Sequence, residues 1–125
     1  MIEFDYVKDE PVVNIKLETE SNSIQVSFFI DSGADMTIIP LNFARELGFD
    51  VWNDDEVVDA LGVGGSSVPY FVRHVNITIG DNKWEIRVAC SLRDDVPFLL
   101  GRKDIFDKFQ VCFNDKEKKV RFTEL

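Results

Sequence analysis

Residues 28–40 read FFIDSGADMTIIP: an apolar strand runs straight into Asp31-Ser32-Gly33, and a second apolar run, Ile38-Ile39, follows after one turn. A carboxylate in that place leaves a buried strand at a tight, glycine-permitted turn, where it is rigidly held and partly removed from water. Two carboxyl groups brought together in such surroundings cannot both ionise. They share one proton and serve as general acid and general base for attack of water on an amide. Taken alone, Asp-Ser-Gly is equally a plain strand-ending turn, so the flanking sequence has to decide.

Outward from this segment the chain is patterned for strands. Val13, Ile15 and Leu17 alternate with polar residues, as do Ile24, Val26, Phe28 and Ile30, and the polar ETESNS between the two runs predicts a hairpin. Val75, Ile77 and Ile79, the turn GDNK, and Trp84, Ile86 and Val88 predict a second hairpin. Val111 and Phe113, the turn Asn114-Asp115-Lys116, and Val120 and Phe122 predict a third. Helical signal is short: Pro40, then LNFAREL, then Gly48, with RKDIFDKF (102–109) as a second candidate. The expectation is an all-β chain, a small closed β-barrel with one or two short helices. The acidic run 49–60, FDVWNDDEVVDA, lacks the ligand spacing of a calcium loop and reads as a solvated loop.

Composition removes several classes of function. At 125 residues the chain is expected to form one domain spanning 1–125, and 45% hydrophobic residues give it material for a core. A net charge of -9 repels phosphate backbones and anionic lipid, so neither nucleic acid nor a membrane surface is expected as a partner. The N-terminal MIEFDYVKDEP has neither a basic nor an apolar signal region, and cytoplasmic residence is the default expectation. Cys90 and Cys112 lie too far apart for a CxxC pair and read as buried small hydrophobes. His74 is the sole histidine and has no second ligand at metal spacing. No metal and no cofactor is therefore expected, and HExxH, GxSxG and P-loop motifs do not occur.

Three segments carry a resemblance. DSGADMT, residues 31–37, resembles the D-T/S-G-A-D-x-T active-site sequence of the retropepsin-like aspartic proteases. Ala60-Leu61-Gly62-Val63-Gly64-Gly65 is similar to the family's glycine-rich flap tip, and Phe98-Leu99-Leu100-Gly101-Arg102 to its hydrophobic-hydrophobic-Gly-Arg sequence, in the family's order. The resemblance implies that Asp31 is catalytic, that Ser32 holds the two active-site loops in register, and that Gly33 lets the substrate backbone approach. It implies that Ala34, Asp35, Gly62, Val63, Gly64 and Gly65 line the peptide site, and that Arg102 pairs with Asp35. Arginine suits that pairing because its planar fork stays charged and can hold a carboxylate at two points. Met36, where many retroviral enzymes carry an acid, and the long C-terminal hairpin depart from the retroviral pattern; the hairpin looks more like the tail of the cellular retropepsin-like proteins.

D-[ST]-G occurs once in the chain, so a carboxylate pair requires two copies of Asp31 facing each other across a two-fold axis. The expectation is a homodimeric aspartic endopeptidase acting on peptide or protein substrates. The alternative is the same fold kept as a catalytically silent peptide-binding or dimerisation module.

Overall fold

The computed structural model describes residues 1–62 and 65–125. Its strands are β1 (Ile2–Asp5), β2 (Val12–Glu18), β3 (Ser23–Ile30), β4 (Thr37–Ile39), β5 (Val58–Leu61), β6 (Ser67–Ile79), β7 (Asn82–Ser91), β8 (Leu99–Leu100), β9 (Phe109–Asn114) and β10 (Lys119–Glu124), with one helix, α1 (Leu41–Glu46). The alternating runs behave as their period requires. Val13, Ile15 and Leu17 of β2 and Ile24, Phe28 and Ile30 of β3 are buried, while Gln25 and Ser27 face outward. All three expected hairpins form: β2 with β3, β6 with β7 around Gly80-Asp81, and β9 with β10.

One sheet runs in the order β2-β3-β8-β4-β7-β6-β5, and β2 also pairs with β6, so six of its strands close into a ring. The expected small barrel is this ring. Closure removes the free edges of those six strands, and β5 is left as an appendage on β6. Inside the ring lie Ile15, Leu17, Phe28, Ile77, Ile86, Val88 and Leu100, all fully or almost fully buried. Each such side chain contributes roughly 1.5–3 kcal/mol on leaving water.

The second sheet, β1-β10-β9, was legible only in part, because β1 is four residues with just Ile2 and Phe4 to mark it. Its apolar face is an aromatic stack. Phe4 meets Phe122 edge-on at 5.9 Å, Phe122 meets Phe109 at 5.9 Å, and Phe109 leans on Trp84 of β7 at 5.4 Å. The other face is a ladder of charges, with Glu3 accepting from both Arg121 and Lys119. Cys112 sits on this polar face opposite Arg121 and is exposed, against the expectation of burial; Cys90 is buried, and burial pushes its thiol up to about 12.

The helix α1 follows Pro40, which sits at its cap in extended conformation and leaves the first amides without a side-chain acceptor of their own. The segment after β7 supplies what is missing: Asp94 accepts from Asn42 N at 2.8 Å and the Arg93 carbonyl from Leu41 N at 3.1 Å. At the other end Gly48 takes φ +92°, the left-handed stop that glycine permits. The second candidate helix does not form. Arg102 to Lys108 makes separate turns, closed by Phe106 N to Arg102 O and Phe109 N to Ile105 O, because Asp104 at φ +66° interrupts the right-handed run.

Candidate active site

Asp31 is positioned by the two strands beside it. Strand β3 runs parallel to β8, with Ile30 opposite Leu100, and Asp31 N donates to the Leu100 carbonyl at 3.0 Å just past the last paired residue. The chain then turns, with Ala34 N donating to Asp31 O at 3.2 Å. Within this turn Gly33 N donates to Asp31 Oδ1 at 2.9 Å, while Oδ2 takes no hydrogen bond among the described residues. Asp31 is half-buried, and Ser32 and Gly33 are exposed. One carboxylate oxygen is thus fixed by the backbone and the other is left for a partner.

The segment after β8 braces this loop from behind. Arg102 N donates to the Ala34 carbonyl at 3.0 Å, Lys103 N to the Asp35 carbonyl at 2.9 Å, and Arg102 Nη1 to the Ser32 carbonyl at 2.8 Å. Asp35 and Arg102 are brought together, with Nη2 3.6 Å from Asp35 Oδ1, and Lys103 Nζ lies nearer at 3.2 Å from Oδ2. Asp35 is therefore held between two cations on an exposed surface rather than gripped by a single fork. Under this brace, Gly101 N donates to the hydroxyl of the fully buried Thr37 at 3.2 Å. A Cβ on Gly101 would lie 2.3 Å from the Met36 carbonyl carbon and 2.4 Å from its oxygen, so only glycine fits where β8 crosses the start of β4.

An apolar row beside the loop was not among the expected site residues. Phe29 stands opposite Leu99 and Leu99 opposite Ile38, on the outward face of β3, β8 and β4, and Phe29 is 37% exposed. The clue is present in FFI: Phe29 occupies an outward position of the alternation, where Gln25 and Ser27 set a polar precedent.

The hairpin of β5 and β6 carries the glycine-rich tip. Leu61 pairs with Ser67, Gly62 N donates to the Ser66 carbonyl at 2.7 Å, and Gly65 takes φ +81°. Val63 and Gly64 lie outside the described residues. The acidic run before this hairpin is pinned, not merely solvated. Arg73 of β6 donates 2.7 Å bonds to both oxygens of Asp55 and another to the Asp50 carbonyl, and Trp52 N donates to Asp55 Oδ2.

Arg73 foremost, aided by the Trp52 amide, holds the Asp55 carboxyl at about 2, below its ordinary 3.8. A depressed native value means that ionised Asp55 stabilises the fold fully above 3.8 and loses that contribution as the pH falls towards about 2. The gap in thermal midpoint between the wild type and Asp55→Asn should be constant at neutral pH and close across that acid window. A gap independent of pH would show that the ion pair is not its source.

The fold and the loop now have counterparts. The family model for aspartyl protease matches residues 15–103, from β2 through the brace after β8. The chain belongs to the aspartyl protease family. The chain is 28% identical over 104 residues to the DNA damage-inducible protein 1 of Yarrowia lipolytica, covering 82% of the chain and 26% of that relative. It thus spans about a quarter of the length of the curated relative. Among solved structures it superposes on a retropepsin-like aspartic protease from Rickettsia conorii with a TM-score of 0.70 at 19% identity, over 95% of each chain. It also superposes on an EIAV protease complexed with the inhibitor HBY-793, with a TM-score of 0.61 at 22% identity over 81% of this chain and 88% of that one. The fold of the chain is retropepsin-like, and no helix among its described residues is long and apolar enough to cross a membrane.

Proposed function

We propose that the chain, as a single domain over residues 1–125, is an aspartic endopeptidase that works as a homodimer. The observation that carries this reading is Asp31: one carboxylate per chain, held through Oδ1 by Gly33 N at the end of a braced strand, with Oδ2 open. Two such carboxylates facing across a two-fold axis would share one proton.

Water between them would lose a proton to the ionised Asp31 as its oxygen attacks the peptide carbonyl carbon. The protonated Asp31 would pass its proton to the carbonyl oxygen. As the tetrahedral intermediate collapses and the C–N bond breaks, the leaving nitrogen takes the proton held by one Asp31 while a hydroxyl of the intermediate returns its proton to the other, which restores the singly protonated pair. In this reading Ser32 and Gly33 set the geometry of the loop, and Ala34 and Asp35 meet the substrate backbone, with Arg102 and Lys103 holding Asp35. The hairpin through Gly62, Val63, Gly64 and Gly65 would close over an extended peptide. The row Phe29, Leu99 and Ile38 would receive an apolar side chain next to the scissile bond.

Dilution tests the shared site. Specific activity should fall as protein is taken below the dimer dissociation constant. The far-UV circular dichroism should not change, because β1, β9 and β10 pair within one chain and the barrel closes without a partner. Constant specific activity from a species that sediments at 14.3 kDa would overturn the homodimer.

A further inference from the structure

Among the described residues four non-glycine positions have left-handed backbone: Lys8, Asp9, Lys118 and Asp104. Lys8 and Asp9 lie in a turn closed by hydrogen bonds between Val7 and Glu10, and Lys118 ends the turn between β9 and β10. Such turns accommodate this conformation readily. Asp104 is different. It stands two residues beyond Arg102, in the brace behind Asp31, and interrupts what the sequence otherwise patterns as a helix.

Asp104 is also tied to a neighbouring strand by both its side chain and its backbone. Arg87 of β7 donates to it three times, from its backbone N at 2.8 Å and Nε at 2.9 Å to Oδ2, and from Nη2 at 2.9 Å to Oδ1. Trp84, on the same strand, donates its indole Nε1 to the Asp104 carbonyl at 2.8 Å. Left-handed backbone at a non-glycine residue persists where the surroundings over-determine it, and here four hydrogen bonds from one strand do so. The Asp104 side chain is 23% exposed, and the adjacent guanidinium lowers its carboxyl below the usual range, so the tie is ionic at neutral pH.

The path onward to Asp31 is short. The two residues before Asp104 donate their backbone amides to the carbonyls of Ala34 and Asp35, and Arg102 adds its contact to the Ser32 carbonyl. Strand β7, the anchor, also pairs with β4, which leaves the far end of the same loop at Thr37. The middle and the far end of residues 31–37 are therefore referred to one strand, at Ala34 and Asp35 through Asp104 and at Thr37 through the sheet.

We propose that Asp104 is a positioning residue, a clamp that ties the brace to Arg87 and Trp84 of β7 and so fixes the loop carrying Asp31. The proposal rests on Asp31 being catalytic only for its kinetic consequence; its structural consequence stands apart from activity. With the clamp released, the loop loses its common reference, and small misplacements of a reacting group cost up to about a hundredfold in rate.

The test uses Asp104→Gly, which accepts the left-handed backbone and removes the carboxylate, beside Asp104→Asn, which keeps an acceptor for the Arg87 amide. Backbone hydrogen exchange is measured in all three proteins, folded and well below their thermal midpoints. Asp104→Gly should exchange faster at Asp31, Ala34, Arg102 and Lys103 while amides of β2 and β3 are unchanged, and Asp104→Asn should restore part of the protection. Peptide turnover by Asp104→Gly should show kcat reduced about tenfold or more with KM little changed, recovered in part by Asp104→Asn. Protection at those four amides equal to wild type, or faster exchange spread evenly over β2 and β3, would overturn the clamp. Should the wild type hydrolyse no peptide as a verified dimer, the proposed function fails, and the exchange pattern still decides the clamp.

Discussion

Asp31→Asn is expected to remove peptide hydrolysis, on the order of a thousandfold, without unfolding the protein. The amide has the size of the carboxylate and can still accept the Gly33 N–H at its oxygen, so the turn keeps the hydrogen bond that shapes it. What it cannot do is take a proton from water and return it to the leaving nitrogen. The wild-type rate should also peak at acid to mildly acidic pH, where a carboxylate pair carries a single proton. Mixing wild type with an excess of Asp31→Asn should depress activity further than dilution alone, because a mixed dimer has one competent carboxylate. Full activity in a pure Asp31→Asn preparation would remove Asp31 from the chemistry and end the aspartic-protease reading, whereas a wild-type dimer that hydrolyses no peptide would leave the silent binding module as the reading of the fold.

The largest effect on stability is expected at Gly101. A methyl group there would overlap the backbone of Met36 and Thr37, at 2.3 to 2.8 Å, and backbone cannot swing aside as a long side chain can. Gly101→Ala should cost about 3 kcal/mol or more and lower the thermal midpoint by more than about 10 °C. The Thr37 hydroxyl, fully buried and taking the Gly101 amide, shifts with it. Gly33→Ala is the control: its Cβ meets only the Asp31 carboxylate oxygen, at 3.2 Å on an exposed turn, and the damage should fall on activity instead. Differential scanning calorimetry of the two variants distinguishes them, and equal midpoints would show that β8 and β4 can part at little cost.

What could be read in the sequence follows from how local the cause is. The three hairpins were legible because period-two burial and turn residues lie within about twenty positions of each other, and α1 because Pro40 and Gly48 punctuate it. The Asp31 loop was legible as a motif, and its brace as a second motif. Strand β8 has two residues and owes its existence to β3 and β4 on either side of it, which no periodicity can express. The Arg73–Asp55 pair joins residues 18 positions apart among many acids that look alike in the sequence. Asp104 was hidden more thoroughly. IFDKF has a helical pattern, and only the pull of Arg87 and Trp84 from another strand turns the backbone the other way.

The strand pair β1 and β10 has a mechanical consequence. Ile2 lies opposite Phe122 and Asp5 opposite Lys119, so the two ends of the chain leave the sheet on the same side, next to one another. Tension between them acts across the ladder instead of along it. The bonds would then break one rung after another, from Ile2 inward, at a force far below that needed to slide the strands past each other. The six-stranded ring behind Asp31 would feel that force only after the terminal sheet had been unzipped.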